Sequence, residues 1–120
     1  MLTPGVYGFT IYQGATFDRT FTWTAPDNMD VQQPVDLTGY TARMQLRPKA
    51  GSPIDLLSLT TANGGIILGD ALGTIRVIIT ASQTAVLTFR AAVYDLELAI
   101  GSEVDRLLMG KVKLSKEVTV

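Results

Sequence analysis

The clearest alternation of apolar and polar positions runs through residues 91–100, where Ala92, Tyr94, Leu96, Leu98 and Ile100 point one way. Asp95 and Glu97 point the other way. Period-two side chains of this kind belong to a strand that buries one face and wets the other. A turn containing Gly101 leads into a second alternating stretch, so residues 91–120 predict a β-hairpin. The second strand is less regular. With Leu108, Val112 and Leu114 on the core side, Leu107 and Met109 fall on the outer side beside Lys111 and Lys113. Apolar residues on a face that should be wet point to a partner surface. The chain is expected to end on this strand, and a terminus held in a sheet is one that something ties down.

The same alternation predicts a strand over residues 6–12, with Tyr7, Phe9 and Ile11 on one face. Another follows over 15–24, with Phe17, Phe21 and Trp23 inward and Asp18, Thr20, Thr22 and Thr24 outward. Arg19 falls on the apolar face, where its stem snorkels at an edge. Residues 25–35, with two prolines, read as the longest polar loop, and 36–39 as a tight turn. Residues 40–47 are strongly amphipathic: Ala42, Met44 and Leu46 face in, and Thr41, Arg43, Gln45 and Arg47 face out. A loop over 48–53 precedes a short strand over 54–60. Asn63-Gly64 supplies the positive φ angles of a two-residue hairpin turn. A very short strand at 66–68, a turn at 69–73 and a strand over 74–80 follow, the last with Ile75, Val77 and Ile79 inward. Alternation fails at 80–87, where Ser82 is placed to cap one helical turn with Ala85 and Val86 packing down. Turn residues every 8 to 12 positions among about eight short strands predict an all-β fold. The expected architecture is an immunoglobulin-like antiparallel two-sheet β-sandwich filling residues 1–120 as a single domain, with a flattened barrel as the alternative.

Composition narrows the function. The 120 residues are 47% hydrophobic and only 18% charged, which implies a large core, apolar surface covered by partners, or both. The net charge of −1 provides no basic field for nucleic-acid phosphates. There is no cysteine and no histidine, which removes disulfides, thiolate and imidazole metal sites, and Cys- or His-based catalysis. The apolar runs are too short for a membrane-spanning helix, and the first residues have no charged start and apolar core of the signal-peptide kind.

Few groupings carry chemistry. Asp95 and Glu97 share a strand face roughly 7 Å apart, a spacing suited to acid–base work on a sugar, against the simpler reading of a solvated strand face. Asp27, Asn28 and Asp30 offer oxygen ligands, but without the glycine-turned twelve-residue pattern of a calcium loop. Arg43 and Arg47 share a face, with Arg76 and Arg90 on neighbouring elements, and pair with a partner's acids or simply confer solubility. Gly64-Gly65 and Gly69 to Gly73 open no phosphate loop. Trp23 reads as core. Ser115 and Lys116 lie on opposite strand faces, so neither an enzyme nor a cofactor is expected.

The order of motifs resembles a known group. It runs Tyr12-Gln-Gly-Ala-Thr-Phe17, Val35-Asp-Leu-Thr-Gly-Tyr-Thr-Ala-Arg-Met-Gln-Leu-Arg47 and Leu59-Thr-Thr-Ala-Asn-Gly-Gly-Ile66. Next come Gly73-Thr-Ile-Arg-Val-Ile-Ile-Thr-Ala81 and Tyr94-Asp-Leu-Glu-Leu98, and last Arg106-Leu-Leu-Met-Gly-Lys-Val112 with Glu117-Val-Thr119. This order resembles small virion proteins of tailed bacteriophages and the N-terminal domain of phage baseplate upper proteins. The resemblance implies a non-enzymatic structural module of the tail, baseplate or fibre region, assembled in several copies. Its expected partners are other virion proteins and copies of itself, with no nucleic acid and no membrane. Its expected place is the virion, after synthesis and assembly in the bacterial host cytoplasm. The baseplate proteins continue into further domains where this chain stops at Val120, which favours a stand-alone accessory subunit. A capsid decoration (cement) protein and a host-surface carbohydrate-binding module are the alternatives. Three contact regions are expected: Met1, Leu2, Thr3 and Pro4; the 25–35 loop with Asp27, Asn28, Met29 and Asp30; and Leu107 with Met109 on the last strand.

Overall fold

The computed structural model describes residues 4–119, so the expected contacts at Met1, Leu2 and Thr3 lie outside the described residues. Its strands are β1 (Gly5–Val6), β2 (Phe9–Tyr12), β3 (Phe17–Thr22), β4 (Thr24–Pro26), β5 (Gln32–Pro34) and β6 (Thr41–Arg47). They continue with β7 (Leu57–Thr60), β8 (Ile66–Leu68), β9 (Thr74–Ile79), β10 (Ala91–Ile100) and β11 (Glu103–Ser115). A 3-10 turn at Asp70–Leu72 and a single-turn helix α1 (Ala81–Ala85) complete the chain.

One sheet runs β1-β11-β10-β6-β7, with β2 also on β11; a second runs β3-β9-β8. The β11-β10-β6-β7 and β3-β9-β8 orders are those of the two sheets of an immunoglobulin-like sandwich. The expectation of purely antiparallel pairing is corrected at one edge, where β1 and β2 both run parallel to β11. The first predicted strand is also broken between Val6 and Phe9. There the chain crosses Gly110 so closely that a Cβ at that position would collide with the Tyr7 carbonyl. The buried Tyr94 hydroxyl donates to the same carbonyl at 2.6 Å, which pins the break to the core.

Both sheets turn their apolar rows into one cluster. Ile11, Met44, Leu46, Leu96, Leu98 and Val112 from the first meet Phe17, Ile66, Ile75, Val77 and Ile79 from the second. Each such side chain contributes about 1.5–3 kcal/mol by leaving water. Phe9 bridges the layers, its ring 4.8 Å from Phe17 and 5.0 Å from Tyr94.

Three local expectations are corrected. Asn63-Gly64 does not close a hairpin, because β7 pairs with β6 and β8 with β9; the turn carries the chain from one sheet to the other. The Asn63 side chain organises it by accepting the Thr60 and Gly65 amides, each at 2.9 Å. The helix cap is Thr80 rather than Ser82, in a capping box with Gln83. Thr84 and Leu87 pack down there, while Ala85 and Val86 are exposed. The Thr84 hydroxyl donates to the Ala15 carbonyl at 2.9 Å and accepts the Gly14 amide at 3.0 Å, which locks the β2–β3 turn.

Candidate functional site

Residues 25–35, expected as a loop, form a hairpin instead. β4 and β5 pair antiparallel, Ala25 opposite Gln33, in a two-stranded sheet of their own. Every residue from 24 to 34 is exposed. The hairpin is therefore an arm projecting from the end of the sandwich where β3 finishes and β6 begins. Its base is fixed by the Trp23 amide on the Gly73 carbonyl at 2.8 Å and the Val35 amide on the Trp23 carbonyl at 2.9 Å. Gly73, at φ +68°, leaves no room for a Cβ between those backbones. The Trp23 ring is half-buried and stands edge-on to Tyr40, 6.1 Å between centroids, so its place is at the root of the arm.

The tip is ordered by its own polar groups. Asp27 Oδ1 accepts the Met29 amide at 2.9 Å and the Val31 amide at 3.0 Å. These bonds, Val31 first and then Met29, hold the Asp27 carboxyl below its ordinary range. Asp30 takes φ +62°, a left-handed conformation that Asp tolerates. Asp27 Oδ1 is thus committed to turning the chain, and among the described residues no group of three or more Asp, Glu, Cys or His side chains could hold a metal ion. The arm thus brings together Asp27, Asn28, Met29 and Asp30, with Val31 of the same 25–35 segment exposed beside them. Met29 is 80% exposed and Val31 53%.

The second surface is the outer face of the larger sheet. β10 and β11 lose register between Leu96 and Glu97: Leu96 sits opposite Leu108 and Glu97 opposite Arg106, leaving Leu107 as an extra residue. Such a bulge re-aims side chains. The expectation that Leu107 lies outward with Met109 is corrected, because Leu107 is half-buried and packs on the core together with Leu108. Met109, opposite Asp95, remains on the outer face at 38% exposure.

Around Met109 the face forms an open concavity of ≈ 750 Å³, lined by Val93 and the highly exposed Val6 together with Arg47, Arg106 and Lys111. Asp95 and Glu97 line it too, but each has an arginine: Asp95 lies 3.5 Å from Arg106, and Glu97 2.8 Å from Arg43. The two carboxylates are half of a cross-strand ion-pair ladder, not a free acid–base pair. Arg47 reaches over the face to the Ser52 carbonyl at 3.1 Å and Gln45 Oε1 at 2.7 Å, holding the 48–53 loop beside the concavity. Neither Arg47 nor Lys111 has a carboxylate partner among the described residues. Arg76 belongs elsewhere: it forms a two-pronged pair with Asp18 on the smaller sheet, at 2.6 and 3.0 Å. Arg19 also lies with that sheet, over the Phe17 ring and bonded to the Tyr7 hydroxyl, as its snorkelling stem implies.

No protein-family model matches the chain, and no curated protein matches it in sequence.

Proposed function

We propose that this chain is a non-enzymatic structural protein of a tailed bacteriophage virion, an accessory subunit of the tail, baseplate or fibre region present in several copies. The observation that carries the reading is the arm. An isolated two-stranded hairpin is marginal in water, because it orders its backbone while burying almost nothing. This one is nevertheless pre-shaped at its tip by Asp27 and presents Met29 and Val31 to solvent. An arm pre-shaped in this way, with apolar side chains at its end, suits a subunit that holds neighbours together, since ordering completed beforehand is not charged against binding. The order of turn and strand motifs from Tyr12 to Thr119, which resembles that of virion proteins, supports the same reading. Its partners are then other virion proteins and further copies of itself, and its place is the particle assembled in the bacterial cytoplasm.

Cryo-electron microscopy of purified particles, paired with mass spectrometry of their proteins, tests this. The expected result is density for the sandwich in symmetric copies at the tail or baseplate. Density over capsomer joints instead would assign capsid decoration. Failure to find the chain in mature particles would overturn the proposal.

A further inference from the structure

The arm and the concavity are complementary in chemistry and separated in space. The arm, over residues 24–34, carries Asp27 and Asp30 and no basic side chain, with Met29 and Val31 exposed beside them. The concavity has an apolar floor of Val93 and Met109, with the exposed Val6 beside them, and is left net positive, because Asp95 and Glu97 are matched by Arg106 and Arg43 while Arg47 and Lys111 are not matched. A volume of ≈ 750 Å³ falls within the roughly 300–1,000 Å³ that receives a ligand the size of a few side chains. The two surfaces cannot meet within one molecule. The arm leaves the end of the smaller sheet next to Gly73, whereas the concavity centres on Val93, Asp95 and Met109 on the outward side of the other sheet.

We propose that the arm of one copy seats in the outer-face concavity of the next, with Met29 and Val31 on the apolar floor and the acidic tip against Arg47 and Lys111. Donor and acceptor are different surfaces, so the contact is head-to-tail and generates a ring or a filament rather than an isologous dimer. This deepens the multi-copy part of the proposed function and rests on it only there.

The test uses the full chain and two double variants. Met29→Asp with Val31→Asp disables the arm and leaves the concavity; Met109→Asp with Lys111→Glu disables the concavity and leaves the arm. All four positions are exposed, and circular-dichroism melting shows whether each variant keeps the fold. In sedimentation velocity the unaltered chain forms multimers with rising concentration. Each variant alone loses about tenfold or more in self-association, the equivalent of about 1.4 kcal/mol or more. An equal mixture restores one contact and stops at a 1:1 dimer. Should a double variant melt early, the milder Asp30→Asn and Lys111→Gln changes take its place, each weakening association and flattening its salt dependence. A chain that is monomeric at every concentration, variants that assemble normally, or a mixture that stays monomeric would each overturn the inference. Particles that contain the chain while arm variants assemble normally would sink this contact and spare the proposed function. Self-association that follows the scheme in a chain missing from particles would do the reverse.

Discussion

Two of the molecule's hairpins are very different. β10–β11 spans Ala91 to Ser115 around a two-residue turn and lies inside the larger sheet, flanked by β6 on one side and β1 and β2 on the other. β4–β5 pairs only with itself and is exposed throughout. In the first, Ala92, Tyr94, Leu96 and Leu98 form a continuous inward row, and removal of that row from water holds the strands. In the second no row faces a core, and the shape is kept by hydrogen bonds at the tip and base. Backbone pairing alone makes a hairpin-shaped segment; burial of one face decides whether it belongs to the fold or projects from it.

This contrast is broken most severely by cutting a core side chain from the long hairpin. Leu96→Ala or Leu98→Ala, both at fully buried positions, is expected to cost about 2–5 kcal/mol in urea unfolding. Met29→Ala on the arm is expected to stay within about 0.5 kcal/mol of the unaltered chain. Equal effects at the two hairpins would erase the distinction. Next in size is Gly110→Ala, which forces the N-terminal segment off β11 and is expected to cost about 1–3 kcal/mol as overpacking; an unchanged melting temperature would show that the crossing at Tyr7 yields freely.

Tyr94 allows a finer test. Burial first, then the neighbouring Tyr7, pushes its hydroxyl up to about 12. The unfolded chain therefore releases this proton near pH 10, before the folded chain does. Its contribution to stability is complete below about pH 10 and is lost as pH rises toward 12. Tyr94→Phe is expected to remove that alkaline loss and, at neutral pH, to cost about 0.5–1.5 kcal/mol for the hydrogen bond to the Tyr7 carbonyl. Denaturation across this pH range reads both effects. The smallest effect is local: Asp27→Ala is expected to speed amide exchange at Met29 and Val31 without moving the global unfolding midpoint. Acid acts the same way on the unaltered chain. Asp27 is lowered when folded, so its support of the tip is present above the ordinary aspartate range and fades as pH falls through the folded value. Exchange at Leu96 that rises in step with the tip would tie the arm to the core.

The strands with one wet and one dry face were legible in the residue pattern. Ala42, Met44 and Leu46, the row through Leu98, and Ile75, Val77 and Ile79 are all buried where their alternation placed them. The arm was not legible as a hairpin, because Ala25-Pro26 and Gln32-Gln33-Pro34 lack apolar alternation and their pairing depends on the anchorage at Trp23, Val35 and Gly73. Its tip residues were nonetheless singled out as part of a polar loop with two prolines. Leu107 was misplaced for a different reason: strict period-two counting has no means of registering the extra residue at the bulge, which shifts every later side chain relative to β10.

The sequence by itself determined what alternation and turn chemistry encode: strands, their dry faces, most turn positions and an all-β sandwich. Those are short-range properties, decided by which neighbours share a strand face and which residues accept a positive φ. The tertiary structure alone decided the parallel docking of β1 and β2 on β11, the inward turn of Leu107, the bridging of Asn63-Gly64 between sheets and the meeting of Met109, Val93 and Arg47 around one concavity. These depend on register between strands far apart in the chain, and register is settled only when the buried face of each sheet has met the layer that covers it.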